Sequence, residues 1–404
     1  MIYITTMILK AYKYRIYPNK NQRDFLGQHF DSVRFVYNHF LERKIKYYKE
    51  TKKTITWVDL INELTKLKRQ DEYSWLNDVG SQSLQQSIIN LDRAYTNFFR
   101  SNGNFPKFKS KKKAKRSFCV PESKQIEVDF DNGRLRIPKL IETKKYGDNR
   151  IKCKFHRTFD GKIKQCTISM DRCNSYFVSI LVEENINIPK KPKVQIDKAV
   201  GIDFGIKTFL TLDNGEKIES PKYYNKSLNK LKNHQKELES LEKDSTKHKS
   251  KKEQISKLYR KTARQRKDFL DKLSYRLVND NQIDTICIED LSMKKMKNDN
   301  FNSTNRIIGD LGWFTFTQML QYKSDWYGKN FLKIGRFEPS SKTCNICGHV
   351  YHELRLDERT WKCSNCKEVH DRDINAAKNI LDFALTNMKY KKGRNYPIEA
   401  ISFR

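Results

Sequence analysis

Four cysteines constrain this chain more than any other feature in it. Cys344-x-x-Cys347 is followed, after fifteen residues, by Cys363-x-x-Cys366. A two-residue gap lets both thiolates of a pair face one ion at about 2.3 Å, and two such pairs complete a tetrahedron. Four thiolates leave no open coordination position, so the spacing predicts a structural zinc ribbon over 338–370. Disulfides or coincidence are the competing readings. His349, His352 and His370 lie nearby, but a complete four-cysteine set does not need them. Within seven residues the second pair runs into Asp371-Arg372-Asp373, which sets a metal hook directly against carboxylates.

Three acids sit where acids are costly. Asp203 lies inside an apolar strand, Val200-Gly201-Ile202-Asp203-Phe204-Gly205, and Glu289 ends another, Ile286-Cys287-Ile288-Glu289. A charge in a strand of that character needs a partner or a metal. Asp373 stands just before a helix that opens Asn375-Ala376-Ala377-Lys378-Asn379-Ile380. Singly, each has a plain alternative: Asp203 begins a turn, Glu289 faces water, Asp373 caps the helix. Together they read as strand–hairpin–strand, a later strand and a closing helix, with one acid in each part. That is the ribonuclease H arrangement. Three carboxylates can gather two Mg²⁺ ions roughly 3.5–4 Å apart for phosphodiester hydrolysis. Hard oxygens suit Mg²⁺ and soft sulfurs suit Zn²⁺, so the two metals separate by ligand chemistry.

Charge identifies the partner class. Lys and Arg total 81 against 48 Asp and Glu, a formal net charge of +33. Such a surface repels itself unless a polyanion neutralises it, and nucleic acid does so by phosphate contact and counterion release. Aromatic residues make up 12% and offer stacking platforms for unpaired bases. A merely solvated surface, a ribosome-like protein and a membrane-surface protein are the alternatives. No apolar run approaches the roughly 18–20 residues needed to span a bilayer, and the start of the chain does not read as a signal peptide. A cytoplasmic protein is expected, associated with the nucleoid when bound to DNA. Cys119, Cys153, Cys166, Cys173 and Cys287 are then packing thiols.

Along the chain, residues 8–17 alternate as a strand that Pro18 stops. Asn19 and Gln22 form a capping-box pattern ahead of a helix carrying Leu26, Phe30, Val33, Tyr37 and Phe40. A further helix carries Leu84, Ile88, Leu91, Tyr95 and Phe98, so 20–100 reads as a helical insertion after one strand. The basic run 105–118 interleaves Phe105 and Phe108 with Lys107, Lys109, Lys111, Lys112 and Lys113, a nucleic-acid contact pattern. Residues 120–190 carry hairpin turns at Asp131-Asn132-Gly133 and Asp160-Gly161 and read as β-rich. INIPKKPK (186–193) reads as a linker. Two long helices folded back at 243–250 are expected between the hairpin at Asp213-Asn214-Gly215 and the strand at 285–290.

These residues carry a resemblance. YKYRIYPNKNQ, SVRFVYNHFL, LQQSIINLDRAYTNFFR, FPKFKSKKK, GIDFGIK, ICIEDL, LGWFTFTQMLQYKSDWYGK, PSSKTCNICG and HDRDINAAKNI, spread over about residues 8–382, resemble the TnpB family. These are transposon-associated RNA-guided DNA endonucleases related to type V CRISPR effectors. The resemblance implies an α+β multidomain chain. A β-barrel wedge domain (1–19 and 118–193) would hold an inserted helical recognition lobe (20–117). A RuvC/RNase H-like α/β nuclease domain (194–337 and 371–404) with the inserted four-cysteine zinc ribbon (338–370) would follow. It implies Asp203, Glu289 and Asp373 as catalytic magnesium ligands, Asp373 rather than Asp371 being the acid before x-Asn-Ala-Ala. It implies a guide RNA from the transposon end, recognition of a short target-adjacent motif, double- and single-stranded DNA as target, and one protein copy per RNA. Gln85 falls where relatives carry a polar reader of that motif, with Trp57 and Ser81 as neighbours that differ. A non-cleaving RNA-guided repressor would share these lobes but carry a broken triad. A transposase joining DNA ends without RNA and a junction resolvase are further alternatives.

Overall fold

The computed structural model describes residues 3–100, 103–121, 123–140, 149–290, 302–336, 338–355 and 357–390. The chain divides into two compact units, Thr6–Ile186 and the remainder, Met1–Thr5 with Asn187–Arg404.

In the first unit, strand β1 (Tyr3–Tyr17) alternates as its sequence requires, burying Tyr12, Tyr14 and Ile16. Helix α1 (Lys20–Thr51) begins at the expected capping box: Asn19 Oδ1 accepts from the Gln22 N–H, and Gln22 Oε1 accepts from the Asn19 N–H. Leu26, Phe30, Val33, Val36, Tyr37 and Phe40 form its buried stripe. Helices α2 (Trp57–Leu67) and α3 (Ser81–Phe99) pack with it, and Ser87 Oγ donates to Val33 O at 2.7 Å.

Strands β2 (Arg116–Val120), β3 (Glu127–Asp129), β4 (Arg134–Arg136), β5 (Arg150–Lys154), β6 (Lys162–Met170) and β7 (Tyr176–Pro189) join β1 in one sheet, ordered β2-β6-β7-β1-β5-β4-β3. The expected barrel is therefore a half-barrel among the described residues, since β2 and β3 end the ladder without pairing to each other. The expected linker at 186–193 is also corrected. Strand β7 runs on through Ile186 and Ile188 to Pro189, and both isoleucines are half-buried. Proline at the last strand position removes little from the ladder, so its presence did not end the strand earlier.

In the second unit, β8 (Ala199–Phe204), β9 (Thr208–Leu212), β10 (Lys217–Glu219), β11 (Thr285–Glu289) and β12 (Asn330–Ile334) form a sheet ordered β10-β9-β8-β11-β12. The β8-β9-β10 meander is antiparallel, while β8, β11 and β12 run parallel. Helices α4 (Tyr223–Glu239) and α5 (Thr246–Asn279) form the expected pair, but the turn is shorter than read. Ser245 caps α5 by accepting from the His248 N–H, so 246–250 is already helical. Helices α6 (Asn302–Leu311) and α7 (Trp313–Trp326) precede β12. The hairpin of β13 (Thr360–Lys362) and β14 (Val369–Asp371) leads without a break into the final helix α8 (Arg372–Tyr390). Residues 391–404, placed in the nuclease domain above, lie outside the described residues.

The sheet has a helix layer on each face. Val200, Ile202, Ile286 and Ile288 pack with Leu270, Leu273 and Leu277 of α5 and Trp313 and Phe316 of α7. Cys287 and Ile334 pack instead with Ile380, Leu381, Ala384 and Leu385 of α8. Side chains alternate along a strand, so Gly201 and Asp203, and likewise Cys287 and Glu289, belong to the α8 face. No helix among the described residues is long and apolar enough to cross a membrane.

Candidate active site and cysteine centre

Register brings the first two acids together. Ile288 pairs with Ile202 between β11 and β8, so Glu289 and Asp203 follow at neighbouring positions on the same face. The third arrives with α8, whose backbone lies almost against β8. A Cβ on Gly201 would stand 2.1 Å from the Ala377 carbonyl oxygen, and Ala376 and Ala377 are fully buried. Two small residues thus let α8 descend onto the strand that carries Asp203, with Asp373 one turn upstream of the contact.

Electrostatics report the same meeting. Burial, then the charges of Asp373 and Glu289, push the Asp203 carboxyl from 3.8 up to about 7, while the Arg372 guanidinium pulls it partly back. Glu289 is raised too, by burial and then by Asp290. A buried carboxyl raised by two neighbouring carboxylates is one that a divalent cation would relieve. Oxygen donors of this kind fit Mg²⁺ chemistry. Asp373 Oδ1 accepts from Arg359 Nη1 at 3.2 Å, a cation supplied by the residue just before β13.

The two aspartates at the start of α8 have separate jobs. Asp371 Oδ1 accepts from the Asp373 and Ile374 N–H groups at 3.0 and 3.1 Å, and its other oxygen accepts from Lys217 Nζ at 2.6 Å. Asp371 therefore caps the helix, and Lys217 with these N–H groups holds its carboxyl below the usual range against the effect of burial. Asp373 sits in the first turn, free of the capping task that was its plain alternative.

The cysteines form the second centre. Ligand sulfurs of Cys344, Cys347, Cys363 and Cys366 all lie within 4.8 Å of one another, and Cys344–Cys366 and Cys347–Cys363 are each 3.6 Å apart. Thiolates at about 2.3 Å from a common tetrahedral ion would stand about 3.8 Å apart, so the four can hold a metal. They are the one His/Cys/Asp/Glu group among the described residues drawn this close; the three acids stand wider. The His349 N–H and the Asn365 amide hold the Cys347 thiol down to about 6, favouring the ligating thiolate. His370, outside the set, lies with Nε2 3.0 Å from Cys344 Sγ and its ring on Trp361.

Nucleic-acid candidates fall in the first unit. Trp57 and Ser81 are exposed, and Ser81 Oγ accepts from Lys68 Nζ at 2.9 Å. Gln85 is half-buried on α3; its neighbour Gln86, with Asn90, lines a groove with Lys111, Lys115 and Arg116. Lys107, Lys112 and Lys113 are exposed. Lys109 is not comparably free: its ammonium lies 3.5 Å from the Tyr37 ring centroid, its backbone is clasped by Asn38, and burial lowers its value to about 8. Lys111 pairs with Asp31 at 3.0 Å.

Comparison with known proteins accounts for this combination. A protein of Streptomyces pristinaespiralis named "Putative RNA-guided DNA endonuclease" is 35% identical over 376 residues, 93% of this chain and 89% of that protein. An Escherichia coli protein, "Putative RNA-guided DNA endonuclease InsQ", is 30% identical over 92% of both chains. The chain belongs to the TnpB family. Family models match residues 177–300 ("Probable transposase"), 313–380 ("Cas12f1-like, TNB domain") and 7–53 ("Helix-turn-helix domain"). The last description does not fit this TnpB chain locally, because 7–53 holds β1 and one unbroken helix α1. A Cas12f1 chain from a complex with sgRNA and target DNA aligns over 93% of this chain and 99% of that one, at 15% identity and TM-score 0.49. That level adds nothing to the assignment that the sequence relatives carry.

Proposed function

We propose that this protein is an RNA-guided DNA endonuclease that hydrolyses phosphodiester bonds at a RuvC-like centre formed by Asp203, Glu289 and Asp373. The observation that carries it is the kinship along the whole chain with relatives named for that activity. The effect of the Asp373 and Glu289 carboxylates on Asp203 supports the choice of residues. With all three acids present in the sequence, nothing favours the non-cleaving repressor or the RNA-free transposase.

Asp203, Glu289 and Asp373 would hold two Mg²⁺ ions. When bound, such a pair supplies an activated water and charge compensation at the leaving oxygen. The chain's own contribution would be placement: β8 and β11 carry two carboxylates at neighbouring register positions, and the first turn of α8 would bring the third toward them. Arg359 and Arg372 keep positive charge beside the acids, where a phosphate must approach. Cys344, Cys347, Cys363 and Cys366 would hold one structural Zn²⁺.

The helices of the first unit and the basic run 105–118 would form the recognition lobe, and the half-barrel the wedge domain. The guide RNA would come from the transposon end, one protein copy serving each RNA in the cytoplasm. Base pairing would read the target, and side chains of the α3 groove would read the flanking motif.

The test is plasmid cleavage with guide RNA and Mg²⁺. Asp203→Ala should abolish cutting while RNA binding persists. Unchanged cleavage by that variant would sink the assignment.

A further inference from the structure

A polar seam joins the cysteine centre to α8, and none of its members belongs to either metal set. Asn345 lies within the first knuckle, directly after Cys344. Its N–H donates to Asn375 Oδ1 at 3.0 Å, and its side-chain Nδ2 donates to Asp382 Oδ2 at 2.7 Å and Asn379 Oδ1 at 3.3 Å. In return, Asn375 Nδ2 donates to Thr343 O at 2.7 Å. Asn379 Nδ2 donates to Thr343 O at 2.6 Å and Ser340 O at 2.7 Å. Asn375, Asn379 and Asp382 recur at helical spacing along one side of α8. Both asparagines are only 2% exposed.

Buried amides must be satisfied, and these two are satisfied almost wholly by the backbone that flanks Cys344. Their geometry is met only when the knuckle holds its shape. Asn375 is two residues from Asp373, and Ala377, on the turn between the two asparagines, is the residue seated on Gly201. The helix is thus held on one side by the sheet and on another by the knuckle, with Asp373 just upstream of both contacts.

We propose that Asn375, Asn379 and Asn345 are positioning residues that tie the state of the cysteine centre to the placement of Asp373. The folded, metal-bearing knuckle thereby sets the affinity of the acid centre for divalent cations. This inference rests on the reading that Asp203, Glu289 and Asp373 hold such ions.

The experiment measures Mn²⁺ binding to the full-length protein by electron paramagnetic resonance, for wild type, Asp203→Asn, Asn379→Ala and Asn345→Ala. Metal retained by the cysteines is measured on the same samples by mass spectrometry. Expected for both asparagine variants are wild-type metal content at the cysteines and a Mn²⁺ dissociation constant raised about tenfold or more, the scale of lost outer-shell support. Cleavage should recover as Mn²⁺ is raised to saturation, which general misfolding would not allow. Asn345 is only half-buried and its substitution leaves every backbone bond of the seam intact, so Asn345→Ala decides the matter if Asn379→Ala does not fold. Wild-type Mn²⁺ affinity in the folded variants, with the cysteine metal in place, overturns the inference. Equal Mn²⁺ binding by wild type and Asp203→Asn overturns the acid-centre reading beneath it, and is told apart by that control.

Discussion

Asp203 sets the pH behaviour of the acid centre. Its folded value, about 7, lies above its ordinary 3.8 because of burial and the neighbouring carboxylates. The sign follows directly: without divalent ions its contribution to stability is fully present below about pH 4 and is lost as pH rises through about 7. Ion-free Asp203→Asn should therefore melt above wild type at pH 8 and close to it at pH 4, as differential scanning calorimetry would show. Ion binding must expel the proton, so apparent Mg²⁺ affinity should climb about tenfold per pH unit below 7 and level off above it. Titration calorimetry across pH 5.5–8.5 checks this, and a flat profile would contradict the raised value. Gly201 offers a steric test at the same scale. Gly201→Ala places a methyl 2.1 Å from the Ala377 oxygen and 2.9 Å from Leu381 Cβ. Overpacking of this kind costs about 1–3 kcal/mol, and here it also lifts α8 from β8, so urea melts should shift down and cleavage should fall. Asp203 and Glu289 stand out in the sequence because a charge inside or at the end of an apolar strand advertises its cost, whereas Asp373, at a helix start, was singled out from Asp371 only by the family resemblance. Asn375 and Asn379 do not stand out, because an asparagine on a helix looks the same whether it meets water or a knuckle carbonyl. Their i, i+4 spacing was the only hint.

At the scale of elements, the capping box, the buried stripe of α1 and the β8-β9-β10 meander could be read locally, since each depends on residues a few positions apart. The body of β7 reads as a strand in YFVSILVEE (176–184), but its end at 186–189 does not, because the two prolines and three lysines of 186–193 imitate a linker. The ladder order of the half-barrel is a matter of distant pairing, which periodicity does not encode. The cysteine cluster was readable from its spacing alone, and it yields a sharp expectation. If the cysteines hold the proposed structural metal, a chelator, or Cys363→Ser, should unfold the cysteine hairpin, loosen the start of α8 and abolish most cleavage. Hydrogen exchange at the first turn of α8 is the readout, and protection that survives chelation would argue against the link. The cap of α1 is a milder case: Asn19→Ala should cost about 1 kcal/mol in chemical denaturation and leave the acids untouched.

For the whole molecule, the net charge of +33 governs how it meets its partner. Neutralising some ten phosphates predicts a log–log slope of affinity against salt near −7 to −9, measurable by filter binding from 50 to 400 mM salt. A slope close to zero would remove the electrostatic basis of nucleic-acid binding altogether. Composition disclosed this much, while the side chains that touch particular bases are set by surface relief. Lys109 illustrates the limit: within a run of lysines it reads like its neighbours, yet the fold turns it inward onto Tyr37.

The hairpin that passes directly into α8 has a bearing on how such chains can vary. Only six residues separate Cys366 from Asp373, and all of them are committed to the turn, the strand and the helical cap. One residue inserted at the helix start would turn the hairpin side by about 100° around the helix axis relative to Asp373. Length drift is therefore costly on that side of the second knuckle, and also beside Arg359, which reaches Asp373 from the stretch between the two knuckles.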